Sequence, residues 1–253
     1  MPNSSSISEF LLLAFANTRE MQLRHFGLFL GIYLAALLGN GLILTAVACD
    51  HRLHTPMYFF LLNLALLDLG CISTTLPKAM ANAIRNTRAI SYQGCAAQVF
   101  FFLFFISAEY FLLTIMAYDR YVAICKPLHY RSLLGSRACA QMAAAAWSSG
   151  FLYTVLHTTN TFSLPLCQGN AVDQFFCEIP HILKLSCSKS FLRDTCMFSY
   201  LKPPSLSSPS LDLVVALVYS VFPAALNPLI YSMRNQELKD AVRILFGYML
   251  LHQ

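Results

Sequence analysis

Long apolar blocks separated by short polar segments set the pattern of this chain. The first block runs from Phe26 to Cys49 without a charge. An α-helix rises about 1.5 Å per residue, so about 20 apolar residues suffice to cross a bilayer. A second block starts after Pro56 and runs from Met57 to about Leu76, broken by Asp68. A third, Ala96 to Tyr118, is rich in Phe and broken by Glu109. A fourth, about Ala138 to Thr159, is less apolar but dense in small residues (Ala143 to Ala146, Ser148, Ser149, Gly150), which suits close helix packing in lipid. The last runs from Leu211 to about Ser232. The pattern predicts an all-α integral membrane protein with five transmembrane helices, over 26–49, 57–76, 96–118, 138–159 and 211–232. They form a single domain over 1–253, with a long loop over 160–210.

Beyond Ser232 the period changes. Leu238, Ala241, Val242, Leu245, Phe246, Met249 and Leu250 fall on one helical face, and Glu237, Lys239, Asp240 and Arg243 on the other. This predicts an amphipathic helix over 235–251 lying along the membrane surface.

Composition agrees: 57% of the residues are hydrophobic and 11% charged, against about 25% charged in soluble domains. That excludes a soluble enzyme and a nucleic-acid-binding domain. The net charge of +5 is modest and not gathered into one tract, so no nucleic acid or other polyanionic partner is expected. Phe10 to Ala16 is apolar but has no basic flank, and is not read as a signal peptide.

Lys and Arg divide almost evenly between the two sides, so they do not orient the chain. Two other features place the N-terminus outside. Asn3-Ser4-Ser5 is a glycosylation sequon that needs a lumenal N-terminus. Cys95, Cys167, Cys177 and Cys187 fall together on the oxidising side in this topology. Four cysteines allow three pairings, and the spacing does not choose among them. His181 lies near Cys177 and Cys187, but the spacing matches no zinc signature, and no cofactor is expected.

Asp68 and Glu109 are costly in a membrane helix, at least about 2.5 kcal/mol each if charged and facing lipid at mid-bilayer. Both therefore should face the bundle interior. Each sits roughly 15–17 Å from the inner face by helix rise. Asn40 lies at a similar level in the first span, and Asn227 approaches it from the last. Two carboxylates and two amides at one depth make a polar core that could share a proton or hold a small cation, or serve only as a structural hydrogen-bond network. No nucleophile or metalloprotease motif accompanies them, so a catalytic pair is not expected. An ion-conducting protein is the remote alternative.

Asp119-Arg120-Tyr121 follows the third span directly, at the inner edge. It belongs to a longer run, Met116-Ala-Tyr-Asp-Arg-Tyr-Val-Ala-Ile-Cys125 followed by Lys126-Pro-Leu-His-Tyr130. That run resembles the most diagnostic signature of vertebrate olfactory receptors, within the rhodopsin-like G-protein-coupled receptors. Other stretches agree in order: Gly39-Asn40-Gly41, Leu53-His-Thr-Pro-Met-Tyr-Phe-Phe60, Leu164-Pro-Leu-Cys167 through Phe175-Phe-Cys-Glu178 to Leu185-Ser-Cys187, and Leu226-Asn-Pro-Leu-Ile-Tyr-Ser-Met-Arg-Asn235. The resemblance implies a rhodopsin-like helix bundle at the plasma membrane with Cys95–Cys177 and Cys167–Cys187 pairing. It also implies a small volatile odorant as ligand, and a stimulatory G protein activating adenylate cyclase as partner, with Asp119, Arg120 and Tyr121 at the coupling face. Odorant contacts are expected in the outer half of the third span, at Phe102, Leu103, Ile106 and Ser107.

The resemblance also implies a departure. The family has seven spans and this chain five. After Cys187, Phe191-Leu-Arg-Asp-Thr-Cys196 passes almost at once into Met197-Phe-Ser-Tyr-Leu-Lys-Pro-Pro-Ser205, which looks like the outer end of the family's sixth span. The fifth span and most of the sixth are missing. Removing two spans preserves parity, so insertion can survive while signalling is lost. A non-signalling form retained in the endoplasmic reticulum is the alternative expectation.

Overall fold

The computed structural model describes residues 8–13, 18–85, 87–167, 169–187, 226–227, 237–238 and 240–244. In chain order the elements are β1 (Glu9–Leu11), α1 (Arg19–Cys49), α2 (Pro56–Arg85), β2 (Ala89–Ser91), α3 (Tyr92–Cys125), the single turn α4 (Tyr130–Leu133), α5 (Ser136–Phe162) and α6 (Ile179–Lys184). Short 3-10 turns occupy His51–Leu53 and Pro127–His129. By length and composition α1, α2 and α3 can each cross a membrane. The less apolar α5 has 27 residues, about 40 Å of helix. The first four predicted spans therefore lie within helices. The fifth, 211–232, lies outside the described residues except for Leu226 and Asn227, both helical. Of the predicted tail helix, 237–238 and 240–244 are described and helical. Asn3 lies outside the described residues.

All four helices overrun their predicted spans, and at two ends the physical reason is plain. α1 starts at Arg19 rather than Phe26. Glu20 in the first turn suits the positive end of the helix, and it pairs with Arg24 one turn on, at 2.5 Å. Arg19 Nη1 donates to the Ile84 carbonyl at 2.7 Å. α2 continues through Pro77 to Arg85 rather than ending near Leu76. Proline removes one N–H from the ladder, but in lipid a helix that stopped there would leave several more backbone groups without partners. The all-α expectation needs one addition: β1 and β2 form a three-residue antiparallel ladder pairing Glu9 with Ser91, Phe10 with Ile90 and Leu11 with Ala89.

The chain divides into two compact units. One comprises Met1–Gly31, Ser73–Phe102 and Thr154–Tyr219; the other Ile32–Ile72, Leu103–Tyr153 and Ser220–Gln253. In the first, Phe10, Leu12, Ile90, Val99, Val172 and Ile182 are buried around the ladder. The second has a larger core that includes Ile43, Tyr58, Phe60, Leu64, Leu112 and Val122. There the small residues of α5 serve the close packing their sequence suggests. Ala143 and Ala146 are buried, and a Cβ added at Gly150 would lie 2.8 Å from the backbone nitrogen of Ala108 in α3. The helix backbones approach that closely because position 150 has no side chain.

Candidate functional site

Within the second unit, Asn227 joins two acidic side chains. Its Nδ2 donates to Asp68 Oδ1 and Oδ2, both at 3.2 Å, and to Glu109 Oε1 at 3.3 Å. Asp68 on α2 is fully buried and Glu109 on α3 nearly so. Neither carboxylate faces lipid, as their cost in hydrocarbon requires. One amide bridging two carboxyl groups gives both a donor but supplies no positive charge. Any charge left on the pair must be met by a proton or a cation. Asn40, also buried, donates from Nδ2 to the Ala36 carbonyl of its own helix at 3.0 Å. The structure thus brings Asp68, Glu109 and Asn227 together.

A second cluster of the same unit gathers around the end of α3. Asp119 is buried, and its Oδ1 accepts from the Tyr130 hydroxyl at 2.8 Å. Burial first, and the Asp119 carboxylate next, push the Tyr130 phenol above its ordinary value. Arg120 is exposed and contacts the sulfur of Met57 at the start of α2. Tyr121 is exposed too, with the Lys126 ammonium 5.8 Å from its ring centroid. The acidic and basic members of the triplet therefore point to different partners: Asp119 into the core, Arg120 to the surface. Nearby, the Tyr58 hydroxyl donates to Glu237 Oε2 at 2.8 Å, tying the start of α2 to the tail helix. Where the chain leaves α1, Arg52 hydrogen-bonds Asp50 at 2.8 Å, holding that carboxyl below and the guanidinium above their usual ranges.

The first unit carries both expected disulfides. Cys95 of α3 is bonded to Cys177, with Cα atoms 5.5 Å apart, and Cys167 to Cys187, with Cα atoms 5.0 Å apart. Gln98, one turn from Cys95, accepts from the Cys177 backbone N–H at 2.8 Å and donates to the Thr74 carbonyl at 2.9 Å. Phe102 is buried edge-on against Phe176, with centroids 5.0 Å apart. It is thus occupied by the segment that Cys177 anchors. Leu103, Ile106 and Ser107 belong to the second unit and are half-buried. His181 lies 2.7 Å from Glu178, both buried, and among the described residues no cluster of metal-ligating side chains forms.

Sequence reasoning missed Tyr130, Tyr58, Glu237 and Gln98 as site residues. Tyr130 stands in the quoted run after Asp119, and an uncharged donor beside a buried carboxylate is what burial demands. The partnership of Tyr58 with Glu237, far apart in the chain, leaves no local signal.

Comparison with known proteins follows the same lines. The family model for the 7 transmembrane receptor (rhodopsin family) matches residues 39–203. The human olfactory receptor 14C36 is 38% identical over 300 aligned positions, covering 96% of both chains. The human olfactory receptor 14I1 is 42% identical over 303, covering 97% of both. The olfactory receptor 1G1 of Gorilla gorilla gorilla is 37% identical over 307, covering 99% of this chain and 98% of its own. Each alignment is longer than the 253 residues of this chain, so each relative has positions with no counterpart in it.

Proposed function

Because the chain belongs to the olfactory receptors, within the rhodopsin family of seven-transmembrane receptors, we propose that it derives from a detector of small volatile odorants that signals through a stimulatory G protein to adenylate cyclase. It is a membrane protein and not an enzyme. The observation that carries the coupling half of this reading is the separation of Asp119 from Arg120. With Asp119 held by Tyr130, the Arg120 guanidinium is presented at the surface, where with Tyr121 it can meet a G-protein segment. On the ligand half, Leu103, Ile106 and Ser107 offer α3 side chains of the kind a volatile molecule needs: apolar contact with one orienting hydroxyl. Phe102, one residue earlier, braces the segment around Cys177. Asp68, Glu109 and Asn227, with Asn40 at their level, form the polar centre, where a shared proton or a small cation balances the two carboxyl groups.

A second reading is favoured by a specific observation. The relatives align over more positions than this chain has residues. The missing stretch corresponds to the fifth and most of the sixth span, and the product as it stands is a non-signalling form of the receptor. The family's sixth helix swings outward to admit the G protein, and its fifth and sixth line half of the odorant pocket. Without them Arg120 serves no gated cavity. The N-terminus is outside at the plasma membrane in the first reading, and the chain stays in the endoplasmic reticulum in the second. Odorant-dependent cyclic AMP in cells expressing the unmodified chain separates the two. A response supports an active receptor; silence, with a response after the missing stretch is inserted between Thr195 and Met197, supports the second reading.

A further inference from the structure

A hollow of about 480 Å³ lies where α1 ends and where α2 and α5 begin, within the second unit. With the N-terminus outside, as both readings above have it, these are the cytosolic ends of the three helices. One wall is apolar, formed by Val47 and Ala48 of α1 with Phe59 and Leu62 of α2. Towards the cytosol the lining is polar: His54 and Thr55 just before α2, and Ser136 at the start of α5. The volume lies within the range of pockets that hold one small ligand. Left empty, its apolar wall would forfeit packing contacts.

The charges at the mouth decide what fills it. Arg137 follows Ser136 in the first turn of α5, is exposed, and among the described residues has no ion-pair partner. Arg52, by contrast, is neutralised by Asp50 at 2.8 Å. The other acidic side chains near the helix ends of this unit are engaged elsewhere. Asp119 takes the Tyr130 hydroxyl, Glu237 takes the Tyr58 hydroxyl, and Asp240 lies 3.9 Å from Arg243. α2 and α5, 30 and 27 residues long, both start at the mouth. Their first-turn N–H groups and the positive ends of their dipoles add to the unpaired guanidinium. The hollow is therefore apolar inside and positive at its opening. A phospholipid of the cytosolic leaflet with a net negative headgroup complements both halves. A sterol hydroxyl brings no charge to Arg137, and a choline headgroup sets a second cation against it.

We propose that this hollow is a site for one anionic phospholipid of the cytosolic leaflet. Its acyl chain lies against Ala48, Phe59 and Leu62, and its headgroup meets Arg137, Ser136 and His54. The assignment rests on the orientation given above and does not depend on the signalling state. Trp147, the single tryptophan of the chain, supplies a native reporter. Its Nε1 donates to Asn63 Oδ1 at 3.1 Å, beside Leu62. It stands about two turns deeper along α5 than Cys139, which also lines the hollow.

The full chain in phosphatidylcholine vesicles can be titrated with phosphatidylserine brominated in mid-chain or, separately, with phosphatidylcholine brominated alike. Quenching of Trp147 should reach half its limit at an about fivefold lower fraction of the serine lipid, the share one cation contributes near a membrane surface. Arg137→Gln should remove that preference and leave quenching by the choline lipid unchanged. Ala48→Phe, which fills the hollow, should weaken quenching by both. Arg137 is exposed, so helical circular dichroism should be unaltered in its variant. The proposal is overturned if the two lipids quench alike in the unmodified chain, or if the preference survives Arg137→Gln. It is equally overturned if cholesterol relieves the quenching as well as unbrominated phosphatidylserine does, or if the intact mass shows an acyl chain already attached to Cys49, the exposed thiol next to Ala48.

Discussion

The Tyr130 hydroxyl donates to Asp119 Oδ1 at 2.8 Å, so the acidic residue beside Arg120 is satisfied by a neutral phenol and not by its basic neighbour. The bond has a definite pH dependence. Burial and the adjacent carboxylate raise the Tyr130 pKa above its ordinary value, which means the fold holds the phenolic proton more tightly than the unfolded chain does. The stabilisation is therefore complete below about pH 10, where an unfolded tyrosine is still protonated. It is lost as pH climbs from there through the raised value of the folded state. Ultraviolet titration of detergent-solubilised protein should show a tyrosine ionising later than the exposed ones, and Tyr130→Phe should remove that step. A titration unchanged by Tyr130→Phe would disprove the contact.

Asn227 holds Asp68 and Glu109 through one amide nitrogen. Replacing it with Ala leaves two buried carboxyl groups side by side without the donor they share. We expect a loss of about 1–3 kcal/mol, the range for stranding a buried polar group. It should appear as a lower melting temperature in nanodiscs. Because the two acids meet at one donor, Glu109→Gln should also shift the carboxyl infrared band of Asp68. Independent bands would show that the two groups do not communicate.

How much of this is legible in the sequence differs by feature. Block length and charge spacing locate α1, α2, α3 and α5, since a helix in lipid must be long and apolar. They do not locate the ends. A hydropathy reading finds where lipid stops, and α1 continues outward to Arg19 on an ion pair. The depth argument puts Asp68, Glu109 and Asn227 at one level because helix rise is constant, and Asn227 Nδ2 reaches both acids. It could not foresee that Asn40 Nδ2 would donate to the Ala36 carbonyl of its own helix, since depth says nothing of rotation about the helix axis. Three-residue strands such as Glu9–Leu11 carry too short a pattern to be recognised, and the Tyr58–Glu237 bond depends on how distant segments pack.

The two disulfides should differ in weight. Cys95–Cys177 closes a loop with a sequence separation of 82, Cys167–Cys187 one of 20. Loop-closure entropy gives about 4.5 and about 3.3 kcal/mol respectively, as upper bounds. Cys95 and Cys177 are also fully buried, and Gln98 is organised around Cys177. Cys95→Ser should therefore lower the yield of folded protein more than Cys167→Ser, as judged by protease resistance of membranes. Equal yields would mean that local packing, not chain closure, holds this segment.

Gly150 tests the packing of α5 on α3. An added Cβ would stand 2.8–3.0 Å from the backbone N, Cα and Cβ of Ala108, and backbone cannot swing aside as a side-chain tip can. Gly150→Ala should cost about 1–3 kcal/mol and Gly150→Val more, read as thermal stability in nanodiscs. Gly27 and Gly31, where an added Cβ would meet nothing within 4 Å, should accept alanine with little change.

The last prediction concerns the fate of the chain in cells. If two spans are absent, as the second reading has it, parity is preserved, so we expect the chain to insert and to be glycosylated at Asn3. Membrane helices associate through packing and interhelical hydrogen bonds, not through escape from water, so in that reading each lost helix removes contacts that lipid replaces only in part. Total stability is typically about 5–15 kcal/mol, so the loss of even a few kcal/mol of such contacts is a large share of it. Most of the protein should then be held in the endoplasmic reticulum, with its glycan still cleavable by endoglycosidase H. Insertion of a related receptor's missing stretch between Thr195 and Met197 should convert the glycan to the resistant form and bring the chain to the surface. If the unmodified chain already carries a resistant glycan at the surface, the contacts that remain among α1, α2, α3 and α5 are enough to hold the bundle, and the retention argument fails.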